Sequence, residues 1–331
     1  MYEIQNQLFE NIKNKIDAKY SLVHEVSEAL EISYDSTYRR LRGEKQITLQ
    51  EAFVLSRRFN VSLDAICQVD SNYLPFICNP VEPENFSGIK WLDNALNNVT
   101  QFYNANITEL TYAAKDPPIF SYFQFPEIAA FKFLFWEKTL FKSKGLAKQK
   151  FSIQHTNPSI IDRCKQIAII ALKIPTTEIW NEDTFRILLR QVEYYWVSNY
   201  FNTKEDLISL LECLEKWLNH TKKEAEIGMR FLYGKEPKGI PNSYKLYENE
   251  IVLNDNTIFI RLPNNNVTFI TYNVLGLLSS NNDAFCKNIE RFQRAIISKS
   301  NLISQCGEKE RNRFFNKLHF AIDHFKEKYH I

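Results

Sequence analysis

The chain has 331 residues, a formal net charge of +2, and 14% aromatic residues that include 25 Phe and 16 Tyr. Its length gives room for two or three domains with sizeable cores, and so small a net charge points to no partner by itself. Six scattered cysteines without a CxxC pair, and only eight glycines with no Gly-rich phosphate loop, argue against metal, redox and nucleotide chemistry.

Neither a G-x-S-x-G nor an H-E-x-x-H run occurs, so no nucleophile elbow or zinc-protease helix is expected. His319 and His324 share an expected helix but stand five apart, which does not place them side by side. The expectation is therefore a non-enzyme with no cofactor and no catalytic or metal residues, whose cysteines are buried thiols. The opening run MYEIQNQLFENIKNK is polar and amphipathic, unlike a signal peptide. The longest apolar stretch, 128–141, is interrupted by Lys132, Glu137 and Lys138 and is too short to span a bilayer. A cytoplasmic protein with no membrane partner follows as an expectation.

Residues 21–66 carry the strongest pattern. Ser21 can cap a short helix whose stripe is Val23, Val26, Ala29 and Leu30. Glu31-Ile32-Ser33 is long enough only for a turn. Ser33 can cap the next helix, which turns Thr37 and Leu41 inward and places Tyr34, Asp35, Tyr38, Arg39 and Arg42 mostly outward. Gly43 sits where that helix must stop. Thr48 and Glu51 form a capping box for a further helix, with Leu49, Ala52, Phe53, Leu55, Ser56 and Phe59 on its inner side. Ser62 can start a last short helix through Leu63 and Ile66.

This order resembles the helix-turn-helix domain of the Cro/C1-type (XRE-like) transcriptional regulators, over about 65 residues near the N-terminus. The resemblance implies a five-helix bundle that puts its second motif helix into the major groove of double-stranded DNA. It also implies base reading from Tyr34, Asp35, Tyr38 and Arg39, with Arg39 foremost because arginine pairs with guanine bidentately, and places Ser36 in the DNA-binding set. Ser33, Arg42 and Lys45 would then hold phosphates. Arg40 joins this set, although many family members carry an apolar residue there. Glu31 stands where the family usually has glycine; the position needs an unusual backbone more than glycine itself. Residues 1–70 hold nine Lys and Arg against eleven Asp and Glu, so the domain is not basic overall. The cations nonetheless gather at Arg39, Arg40, Arg42, Lys45, Arg57 and Arg58, and local field matters more than net charge.

Residues 72–87, NYLPFICNPVEPENFS, read as a linker because three prolines and several turn residues break the helical pattern. From 88 to about 115 the apolar positions Leu92, Ala95, Leu96, Val99, Phe102, Tyr103, Ile107 and Leu110 follow a near-heptad spacing. They fit a core helix or a dimer seam. Further helices are expected at 126–144, 158–172, 178–201 and from 203 to about 232. Strands at 243–253, 257–262 and 267–272, separated by Asn-rich turns, predict a three-stranded antiparallel meander. Helices at 283–298 and 308–328 end the chain.

The expected architecture is mainly α. It has an N-terminal helix-turn-helix bundle (1–71), a linker (72–87), a helical dimerisation or sensor region (88–236), and a C-terminal α+β module with a small antiparallel sheet (237–331). The expected function is a sequence-specific DNA-binding transcriptional regulator, dimeric, with a small-molecule or peptide effector. Three alternatives stay open: a protein-interaction component of antitoxin or phage-control type, a tetratricopeptide-like peptide-sensing regulator, and an enzyme hidden in the helical region. No 34-residue period supports the tetratricopeptide reading.

Overall fold

The computed structural model describes residues 3–17, 19–67, 74–251 and 255–331. Asn72 and Tyr73 of the expected linker, Val252 and Leu253 of an expected strand, and Asn254 of the turn after it lie outside these residues. The chain forms two compact units, Met1–Pro75 and Phe76–Ile331.

The first unit contains α1 (Glu3–Lys13), α2 (Leu22–Leu30), α3 (Tyr34–Leu41), α4 (Leu49–Phe59) and α5 (Leu63–Cys67). Its core comes from one stripe per helix: Leu8, Phe9 and Ile12 of α1, Val26 of α2, Leu55 of α4 and Ile66 of α5 are all buried, together with Val61. The local signals are those that short helices need. Ser33 caps α3 by accepting from the Ser36 N–H, and Thr48 and Glu51 close a reciprocal capping box at α4. Glu31 ends α2 in the left-handed conformation at φ 53°, so a carboxylate residue takes the backbone that glycine would favour.

The second unit is built on one mixed sheet, and here the expectation of a small antiparallel sheet fails. In the second unit, among the described residues, β1 (Ile77–Asn79) precedes α6 (Gly88–Asn104), and β2 (Glu109–Ala113) precedes α7 (Ile119–Tyr122), α8 (Pro126–Leu134) and α9 (Pro158–Ala171). A π-helical segment over Phe135–Leu140 extends α8. Then come β3 (Thr176–Trp180), α10 (Glu182–Val197), α11 (Lys204–Ile227), β4 (Tyr244–Glu248), β5 (Thr257–Arg261), β6 (Asn266–Thr271), β7 (Leu277–Ser280), α12 (Asp283–Ile297), β8 (Asn301–Leu302) and α13 (Glu308–Lys328). The eight strands lie in the order β1-β7-β6-β5-β2-β3-β4-β8, with β2, β3 and β4 mutually parallel and the other pairings antiparallel.

Three features of the sheet differ from the expectation. The region expected to be only helical supplies two interior strands, β2 and β3. Every residue of β3 is buried. A parallel strand covered on both faces shows no alternation, so Leu110 and Trp180 blend into the neighbouring helical patterns. The antiparallel meander exists but consists of β5, β6 and β7; β4, expected to be its first strand, lies beyond β2 and β3 and runs parallel to β3. Ile77–Asn79, inside the expected linker, pairs with β7 at the sheet edge.

Helices cover both faces of the sheet. Tyr112, Trp180, Tyr244 and Leu246 join the large core with residues from α6 and α8 to α11 and from α13. The alternate residues Ala113 and Ile179 pack on the opposite face with Tyr247, and with Ile296 and Ile297 of α12. The near-heptad stripe of α6 is spent inside this unit: Leu92 and Val99 are buried, and Ala95, Leu96 and Phe102 pack against the same core.

Candidate nucleic-acid interface

The candidate site is the outer face of α3 and the turn that follows it. Thr37 is fully buried and its hydroxyl donates to the Ser33 carbonyl at 3.2 Å, which fixes the inward side of the helix. Tyr34 and Tyr38, one turn apart, are 53% and 46% exposed. Asp35 and Arg39 are also exposed, and Ser36 is half-buried between them and the core. The face therefore offers two phenols, a carboxylate and a guanidinium side by side.

Arg40 does not belong to that face. It is buried, and its Nη2 donates to Glu51 Oε1 at 2.6 Å while Nη1 donates to the Ser36 carbonyl at 3.1 Å. Burial alone would push the Glu51 carboxyl up; the hydrogen bonds from Arg40 and Thr48 outweigh it and hold the group below the ordinary carboxylate value. Glu51 thus ties α3 to the start of α4, in addition to capping α4. The slot faces inward, and a guanidinium fills it and brings its own counterion.

Gln5, which the sequence pattern does not single out, positions the turn after α3. From α1, its Nε2 donates to the Arg40 carbonyl at 2.7 Å and to the Lys45 carbonyl at 3.0 Å, and its Oε1 accepts from the Ile47 N–H at 3.0 Å. One side chain therefore holds the turn from α3 to α4, where Gly43 takes φ 75°. Its only sequence signal is a polar residue on the buried face of an otherwise apolar-striped helix.

Beyond α3, Arg42 is 65% exposed, with its guanidinium 5.6 Å from the Tyr38 ring centre. Lys45 is exposed beside it, and its backbone N–H donates to the Arg39 carbonyl at 3.1 Å. Glu44, also missed, stands 3.9 Å from Arg39 and 3.5 Å from Arg42. At such exposure these pairs add little stability, but they hold two flexible cations over the helix. Arg57 lies over the Phe53 ring and Arg58 pairs with Glu28 at 3.6 Å.

Two inward assignments on α4 need correcting. Leu49 is 83% exposed and Phe53 is 49% exposed, whereas Leu55 is fully buried. Among the described residues, His24, Glu25 and Glu28 on α2 bring three potential ligand atoms within 4.8 Å of one another. His24 and Glu28 are exposed and Glu25 is half-buried, and Arg58 already pairs with Glu28. No described helix is long and apolar enough to cross a membrane. Comparison of the chain with family models, with curated proteins and with solved structures gives no match.

Proposed function

We propose that the first unit is a DNA-binding domain of the Cro/C1 (XRE-like) type, and that the protein is a cytoplasmic, dimeric transcriptional regulator. The observation that carries this reading is the outward face of α3. Tyr34, Asp35, Tyr38 and Arg39 are exposed on a helix whose inward side and following turn are held by Thr37, Arg40, Glu51 and Gln5. A rigid helix with aromatic and guanidinium groups on its free face suits the major groove, which presents thymine methyls and guanine acceptors. Ser33, Arg42 and Lys45 flank that face, where phosphates would run.

The experiment is selection of binding sites from random duplex DNA by the full chain, followed by titration at several salt concentrations. Specific binding should weaken steeply with salt. Arg39→Ala should cost about 1–3 kcal/mol on the selected site and relax preference at one base. Arg42→Ala and Lys45→Ala should weaken all sequences alike and each lower the salt slope by about one. Absence of salt-dependent duplex binding would remove the reading.

One observation favours a second reading, a protein-interaction module. Leu49 and Phe53 expose apolar surface at the start of α4, and such surface suits a protein partner better than a phosphate backbone. Loss of a partner on Leu49→Ser, with duplex binding absent in every variant, would favour it.

A further inference from the structure

A cleft of about 310 Å³ opens in the second unit where β3 and β4 end. These two strands are parallel and paired up to Trp180 and Glu248, so both chains leave the sheet at the same edge. Ligands of open α/β sheets collect at the carboxyl ends of parallel strands. The volume lies at the lower limit of small-molecule sites, roughly 300 Å³.

The walls are rigid. Asn181, buried, caps α10 by accepting from the Thr184 N–H at 2.9 Å. Asn249, also buried, donates from its backbone to the Trp180 carbonyl at 2.7 Å and from Nδ2 to Ser300 Oγ at 2.7 Å. These hydrogen bonds fix both exits from the sheet before any ligand arrives.

The charges in the cleft separate into two poles. At one, Arg186 and Lys317 share the single carboxylate of Glu182, at 2.9 and 2.7 Å. At the other, Glu248 and Glu250 share the single guanidinium of Arg313, at 3.3 and 3.4 Å. With Arg313 and Arg190 counted from outside the lining, the first pole has one positive charge in excess and the second one negative, and Lys317 stands between them, also 3.9 Å from Glu248. Asp183 also lines the cleft and is paired at 4.0 Å with Arg190, which does not. Glu248 sharpens the argument. Its side chain is 3% exposed; among the described residues its carboxylate accepts one long hydrogen bond, from Arg313 at 3.3 Å, and Lys317 is 3.9 Å away. A carboxylate so buried ordinarily takes several donors. All lining side chains are charged or amide, so the cleft has no seat for an apolar body.

We propose that this cleft binds a small zwitterion of the α-amino-acid class with a polar side chain, its ammonium on Glu248 and Glu250 and its carboxylate on Arg186 and Lys317. The assignment stands apart from the DNA-binding reading, because it concerns only the second unit and is measured without DNA.

The test is calorimetric titration of the full chain with each polar α-amino acid, and separately with methylammonium and with acetate. At least one amino acid should bind saturably at millimolar or lower concentration, and neither half should bind at the same concentration. Glu250→Gln and Arg186→Gln should each weaken that binding about tenfold, the effect of losing one charged hydrogen bond. Both side chains are substantially exposed, and the unliganded melting temperature of each variant shows that folding is intact. Saturable binding by none of the amino acids would overturn the proposal. So would equal binding in either variant, or methylammonium or acetate binding as tightly as the amino acid.

Discussion

Arg39 and Arg40 are neighbours in the chain, but a helix turns successive side chains by about 100°, and this separates their fates. Arg39 is exposed beside Glu44, while Arg40 is buried against Glu51. Arg40→Ala should therefore destabilise the first unit by about 3 kcal/mol, because it leaves the Glu51 carboxylate short of its partner. Arg39→Ala should leave the melting temperature within error. Thermal denaturation of the two variants checks the contrast, and equal effects would contradict the assigned burial. Gln5→Leu should cost about 1–3 kcal/mol, since it abandons two carbonyls and an N–H at the turn after α3. The Glu51 carboxyl is held below its ordinary value in the folded chain. Its contribution is thus present above the unfolded value near pH 4.3 and lost as pH falls through the lower folded value. Acid unfolding of the first unit should accordingly begin at higher pH in Arg40→Ala than in the parent chain.

At the scale of elements, α8 carries an unusual guest. Lys132 is buried, donates to Gln191 of α10 at 2.7 Å, and has its ammonium 5.0 Å from the Trp136 ring centre. Burial pulls its pKa down to about 8, against a smaller opposing pull from Asp116. A lysine with a depressed folded value binds its proton more tightly when unfolded. Its contribution is fully favourable above the unfolded value near 10.4, and is lost as pH falls through about 8. Lys132→Met should therefore stabilise the second unit at pH 7, on the order of 2 kcal/mol, and the gain should shrink as pH rises toward 10. Melting temperatures of both proteins across that range test this; a gap that stays constant with pH would show that lysine ionisation is not the cause. The stripe of α6 makes a simpler statement. Leu92 is fully buried in the core of its own unit, so Leu92→Ala should cost about 2–5 kcal/mol and leave the oligomeric state unchanged.

At the scale of the whole molecule, the division into two compact units predicts two unfolding transitions. Residues 1–75 have their own core and their own caps, and should keep their helical circular dichroism when expressed alone. By the proposed function, this fragment binds duplex DNA weakly and the full chain binds tightly, because joining two heads raises effective concentration without new contacts. Sedimentation of the full chain, with titration of both proteins on one palindromic site, decides the matter. A monomeric full chain that binds no better than the fragment would leave the second unit without that role. Since α6 spends its apolar stripe internally, that stripe is not free to form the dimer of the proposed function.

What the chain discloses by itself is local. The Ser33 cap, the Thr48–Glu51 box, the left-handed Glu31 and the glycine after α3 were legible because each is set by residues within a few positions. So were the helices at 283–298 and 308–328, whose patterns run uninterrupted, and the strands near 257 and 267, whose β-branched and aromatic residues are set off by Asn-rich turns. The outer face of α3 followed from helical spacing for the same reason. What only the tertiary structure decided is pairing across distance. Arg40 could be taken for a surface cation until Glu51 was found opposite, and Gln5 lies some 35 residues from the carbonyl it holds. The strands β2 and β3 carry no periodic signal, since both of their faces are covered. The separation of β4 from the meander depends on which edge of β2 each neighbour takes. The cleft at the ends of β3 and β4 joins the start of α10 to β4 and α13, residues 181 to 317. Its two poles exist only because the parallel sheet brings those segments to one edge.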